Sequence, residues 1–207
     1  MDKRTSYSEI FKKYVPIEFA SMLADLLIGT NVKFKVVRGR KTKLGDFRYG
    51  SDLPKPIITV NGDLNPYAFL ITALHEFAHY HTYLNYNNRV QPHGEEWKSA
   101  YRTLLIPIID SKHLPKDIED ALMRSLTNTK ASSCSDIHLS RALYQYDLKE
   151  EEPLLCLEQI SKNTTFVLNG KHFVKLNKRR TRYECQETSS GKIYLVHALA
   201  KVTIIEL

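Results

Sequence analysis

Apolar and polar positions follow two different rhythms along this chain, and the change falls near Thr165. Before it, helical spacing is frequent. Ile17 to Ile28 reads as an amphipathic helix that starts after Pro16 and stops at Gly29. Val32 to Val37 alternates apolar residues with lysine, the period of a half-buried strand. "LGDFRYG" and "KPIITVNGD" predict two more short strands bounded by Gly, Pro and Asp. A long helix follows: Asn65 can cap it, Pro66 suits its first turn, and an apolar run from Tyr67 carries it to about Leu84. Further helices are predicted from near Gly94 to before Pro107, over "PKDIEDALMRSL", and around Ile137 to Leu148. From Thr165 onward "TFVLNGKHFVKL", "RTRYECQ" and "KIYLVHALAKVTIIEL" read as strands, with Asn-Gly and Ser-Ser-Gly as turn signals.

A chain of 207 residues can bury a substantial core. Its apolar stretches fall far short of the roughly 18 residues that a membrane span needs, so no membrane role is expected. The amino terminus lacks the apolar core of a signal peptide, which makes the cytoplasm the expected address. Cys134, Cys156 and Cys185 are an odd number without close pairing, as reduced thiols would be. The net charge of +7 is uneven: residues 111–158 hold 6 basic and 9 acidic residues, whereas 159–207 hold 9 and 3. Pattern and charge together predict a mixed α+β core over 1–110, a helical acidic connector over 111–158 and a basic β-rich module over 159–207.

One stretch carries chemistry. His75, Glu76 and His79 form His-Glu-x-x-His inside the predicted long helix. Residues four apart lie one above the other on a helix, so both imidazoles can reach one cation about 2 Å away. Glu76 borders the same face without having to ligate, and can serve as a general base on water there. The bland alternative is a solvated helix face. The apolar approach argues against it, because a buried ionisable cluster without partners costs several kcal/mol. A catalytic zinc site needs a third protein ligand, and Glu95, Glu96 and His93 are the candidates. His81, two residues past His79, is turned away from that face.

"HEFAH" followed by "HGEEW" resembles the SprT-like metallopeptidases, a family that includes a protease of DNA–protein crosslinks. "TKLGDFRYG", "PIITVNGDL" and the apolar run extend the resemblance over roughly residues 15–110. It implies an α+β, zincin-like fold: a short β-sheet and an active-site helix, followed here by the helical connector and small C-terminal β module. It implies one Zn2+ per chain held by His75, His79 and His93, with Glu76 as catalytic acid/base and protein as substrate, including protein attached to DNA. Glu95 and Glu96 are then exposed helix-start acids. Many relatives end in a zinc ribbon, but no Cys-x-x-Cys occurs here, so a second zinc at Cys185 with His172 and His197 is not expected. Cys134 and Cys156 read as small apolar fillers.

In the tail, Lys175, Lys178, Arg179, Arg180 and Arg182 stand beside Tyr183. Cations interleaved with aromatics suit single-stranded DNA or a protein–DNA complex. Two rivals remain open from the sequence: a non-catalytic, zinc-stapled nucleic-acid-binding protein, and a cytoplasmic peptidase with no nucleic-acid role. The oligomeric state is not legible.

Overall fold

The computed structural model describes residues 2–40, 42–50, 52–127, 136–147 and 155–205. These form six α-helices and nine β-strands in two sheets, an α+β architecture. The chain divides into two compact units, Met1–Asp147 and Leu148–Leu207.

The first unit begins with α1 (Lys3–Phe11) and α2 (Ile17–Ile28). The apolar periodicity does not announce α1, since Phe11 is its one buried residue. Polar contacts secure it instead: Asp2 caps the Thr5 N–H at 2.7 Å, and Arg4 grips Asp25 of α2 through two bonds of 2.5 and 2.8 Å. Strands β1 (Lys33–Val37), β2 (Gly45–Arg48) and β3 (Ile57–Asn61) make a sheet in the order β1-β3-β2, with β1 parallel and β2 antiparallel to β3. Strand β3 is central and buried from Ile58 to Asn61, whereas β2 forms an edge.

Helix α3 (Pro66–Tyr86) packs against β2, β3 and α4 (Glu95–Asp110). Asn65 caps it by accepting from the Ala68 N–H at 2.9 Å, and Pro66 follows at the first position. Phe69, Leu70, Ile71, Leu74 and Phe77 are all buried, so α3 is an interior helix. Helix α4 runs through Pro107 instead of ending before it. A proline there removes one backbone bond and crowds the preceding turn. Ile108 and Ile109, both buried beyond the proline, offset that cost by continuing the helix into the core. Helices α5 (Lys116–Thr127) and α6 (Ile137–Tyr144) add Ile118, Leu122 and Leu139 to the same core, so this stretch of the expected connector is packed structure.

The second unit is a six-stranded sheet in the order β4-β9-β5-β6-β7-β8. Its strands are β4 (Leu155–Cys156), β5 (Thr165–Leu168), β6 (Lys171–Arg179), β7 (Arg182–Glu187), β8 (Ile193–His197) and β9 (Lys201–Ile204). All pairings are antiparallel. Asn169 and Gly170 turn β5 into β6 with φ of 51° and 75°, the left-handed pair that an Asn-Gly hairpin needs. Phe166, Phe173, Tyr183, Cys185 and Val202 are buried in this unit. No described helix is long and apolar enough to cross a membrane.

Candidate metal centre

Two histidines come from α3 and one from the loop before α4. His75 and His79 sit one helical turn apart, with their Nε2 atoms 3.1 Å from each other. His93 brings its Nε2 to 3.3 Å from that of His75. Three ring nitrogens thus lie within 4.8 Å of one another, and no other such group of metal-ligating side chains occurs among the described residues.

The loop achieves this by an uncommon backbone. His93 has φ of 60°, in the left-handed region, while Gly94 is extended and caps α4. A non-glycine residue held there costs on the order of 1–3 kcal/mol and persists where its surroundings demand it. The Gly94 N–H bonds the Gln91 carbonyl at 2.9 Å, closing the turn that aims His93 back over α3.

An aromatic wall backs the three rings. Trp97 is fully buried, with its ring centroid 4.7 Å from His75 and from His93 and 5.3 Å from His79. Tyr101 stacks on Trp97 at 5.0 Å and meets His75 edge-on at 5.8 Å. Phe47 of β2 lies parallel to His79 at 6.5 Å. These groups line or support a cavity of about 740 Å³ that also reaches Thr42 to Asp46, Thr72, Glu76 and the Asn87–Pro92 loop.

Burial sets the electrostatics. It pushes His75 down to about 3, helped by His79 and His93, and His79 to about 4, helped by His93. Their imidazoles are therefore neutral at neutral pH, the form that ligates. Burial, then the nearby Asp46 charge, raises the Glu76 carboxyl to about 8, while Arg40, Lys43 and the Phe47 backbone amide pull it back. Four ionisable groups crowd a site that suits none of their charged forms.

A cation fits this arrangement. Tetrahedral nitrogens about 2.0–2.1 Å from zinc stand roughly 3.3–3.4 Å apart. The observed separations of 3.1 and 3.3 Å are close to that spacing. Glu95 faces solvent and pairs with Lys98 and Arg102, and neither it nor Glu96 lines the cavity. His81 also lies outside the cavity lining, with its Nε2 buried.

The structure treats the tail cations differently from one another. Lys175 and Tyr183 are 4% and 9% exposed. Lys175 donates to the Ile160 carbonyl at 2.6 Å and sits 4.0 Å from the centre of the Tyr183 ring. Both belong to the interior of the second unit, which corrects the expectation that they face a ligand. Lys178, Arg179, Arg180 and Arg182 are exposed around the β6–β7 turn, and Arg179 pairs with Glu184 at 2.6 Å. Cys156 and Cys185 are buried thiols that form no disulfide among the described residues, with burial pushing Cys185 up to about 11; Cys134 lies outside the described residues.

The site has residues that motif reasoning did not assign. Tyr101 falls four positions after Trp97, so helical spacing alone puts both on one face of α4. Gly45 and Phe47 carry no comparable signal, because their nearness to α3 depends on how the strands pair.

Residues 40–113, from the loop before β2 to just past α4, match the model of the SprT-like family. The family resemblance read from the two motifs therefore holds over this segment. No curated protein and no solved structure matches the chain.

Proposed function

We propose that the SprT-like segment is a zincin-like core and that the protein is a zinc-dependent metallopeptidase acting on protein substrates. The observation that carries this reading is the conjunction at one cavity: three imidazoles spaced for a cation, and a buried carboxyl group beside them. His75, His79 and His93 would hold the zinc, one per chain. When bound, zinc supplies Lewis-acid polarisation of the scissile carbonyl and makes water a stronger acid.

The remaining work falls to this chain's own residues. Glu76 accepts the proton that the attacking water gives up, and later delivers a proton to the leaving amine nitrogen. Buried beside the histidines, its carboxyl group is placed to take up that proton and return it. Trp97 and Tyr101 exclude water from one side of the histidines and fix their rings. The cavity at the β2 edge offers room for an extended polypeptide.

A purely structural zinc would need no carboxylate here, and burying Glu76 costs stability with no return. That favours the peptidase over a binding-only protein. Four exposed cations at the β6–β7 turn support a further proposal, that the second unit engages the phosphate backbone of single-stranded DNA or of DNA carrying crosslinked protein. The test is cleavage of an unfolded protein by the zinc-loaded chain, with and without single-stranded DNA. Cleavage by wild type and none by Glu76→Gln is the expected result. Equal cleavage by both variants overturns the mechanism.

A further inference from the structure

Gly45 opens β2 opposite Val60 and lies against Glu76. A Cβ at this position would stand 2.5 Å from Glu76 Oε1, 2.8 Å from Glu76 Cγ and 2.7 Å from Thr72 Cγ2. Carbon atoms in contact are normally about 3.5–4.0 Å apart. The backbone of Gly45 is not in the left-handed region, so its conformation does not itself call for glycine. What requires the missing side chain is the close approach of α3.

The approach is held from behind. Asn61, only 1% exposed, accepts from Arg40 Nε at 2.8 Å and donates to the Arg40 and Lys43 carbonyls at 3.1 and 3.0 Å. Its backbone N–H bonds the Leu44 carbonyl at 2.9 Å. One buried amide at the end of β3 thus ties down the loop that delivers Gly45.

We propose that Gly45 is a positioning residue: the bare face of β2 seats the Glu76 carboxyl group, and the Asn61 clamp keeps that face in place. This rests on the reading of Glu76 as the general base. Thr72 is buried, β-branched and anchored on α3, so it yields poorly to an added methyl group. Glu76 has freely turning torsions, and its displacement is the easier relief. Gly45→Ala therefore moves the base while sparing the histidines.

The test is Gly45→Ala in the zinc-loaded full chain, measuring zinc content, KM and kcat on an unfolded protein substrate. Zinc and KM should match wild type while kcat falls about 10²-fold, the scale of an ångström-size misplacement. In a Glu76→Gln background the same change should cause no further loss. Wild-type kcat in Gly45→Ala, with Glu76→Gln inactive, overturns the positioning role and leaves the peptidase reading standing. Full activity in Glu76→Gln instead overturns that reading, and this inference with it. If Gly45→Ala loses zinc or melts early, melting in a Glu76→Ala background decides. Because the Thr72 contact remains there, a stability cost that shrinks clearly supports the Glu76 contact, and one that persists undiminished assigns the glycine to packing on Thr72 and overturns the proposal.

Discussion

The two units handle buried and clustered charge in opposite ways. Around α3, ionisable side chains converge on a cavity, and burial strips His75, His79 and Glu76 of their charges. In the second unit the buried cation is satisfied within the fold, since Lys175 donates to the Ile160 carbonyl and lies over Tyr183, while the remaining hairpin cations point to solvent. The contrast is between groups left wanting a partner and groups that already have one. A site that folding leaves electrostatically uncomfortable is a candidate for chemistry. A basic run whose members are satisfied or solvated has a weaker claim.

The sharpest way to break this contrast is to remove the base. Glu76→Gln should lower kcat by at least the roughly 10²–10⁴-fold typical of losing a general acid–base group, with zinc content unchanged. Elemental analysis beside a cleavage assay reads both. Zinc loss in this variant would make Glu76 a ligand and undo the division of labour proposed for the site.

His93→Ala comes next. It removes one of three nitrogens, so zinc affinity should fall by more than the roughly 10–100-fold typical of losing an outer hydrogen-bond partner of a ligand. Competition with a chromogenic chelator measures it. Unaltered affinity would put the third ligand elsewhere in the cavity.

The discomfort itself is measurable in metal-free protein. The folded state raises Glu76 from an ordinary 4.5 to about 8, so the stability tied to its neutral form is present below pH 4.5 and lost as pH rises through 8. Glutamine cannot ionise and escapes that loss. Chelated Glu76→Gln should therefore outlast chelated wild type above pH 8, by on the order of a few kcal/mol, with the gap closing toward pH 4.5. Denaturant melts at both pH values read the difference. A gap that does not change with pH would mean that the carboxyl group is solvated.

How far these features were legible varied with the distance over which each is determined. His75 and His79 share a helical face by spacing alone, and Asn169-Gly170 names its turn by local chemistry. Helix α1 escaped notice because a cap and the Arg4–Asp25 ion pair hold it in place of an apolar stripe. Lys175 was misjudged although a signal was present: it lies two residues from Phe173, so strand alternation puts it on the same, buried face. Charge was given precedence over period, and period prevailed. Gly45 beside Glu76 was out of reach, since that contact exists only once β2 has found β3 and α3 has packed on both.

Lys175→Ala tests the satisfied side of the comparison. It leaves the Ile160 carbonyl without this donor in the interior, which should destabilise the second unit by about 1–3 kcal/mol. Zinc content and nucleic-acid affinity of the folded protein should not change. A weakened salt dependence of DNA binding in this variant would return Lys175 to the surface.

The smallest expected effect concerns the exposed cations. With Lys175 internal and Arg179 engaged by Glu184, Lys178, Arg180 and Arg182 are the hairpin cations free to meet phosphate. Each neutralised phosphate on a single strand contributes about −0.7 to the log–log salt slope, so two or three contacts give roughly −1.4 to −2.1. Replacing Lys178, Arg179, Arg180 and Arg182 together by alanine should remove most of that slope while leaving zinc untouched, because the histidines belong to the first unit. Tyr183→Phe should leave the slope unaltered, since the ring serves the interior and not a stacked base. Fluorescence anisotropy with a labelled oligonucleotide across a salt series measures both variants. An unchanged slope in the quadruple variant would reduce the hairpin charge to a solvated surface. It would also direct attention to Lys33, Lys35 and Arg38 in and just after β1, cations of the first unit that form no salt bridge among the described residues. Were those three to carry the slope, the anionic partner and the buried base would meet in one unit, and the contrast between the two units would be one of stability alone.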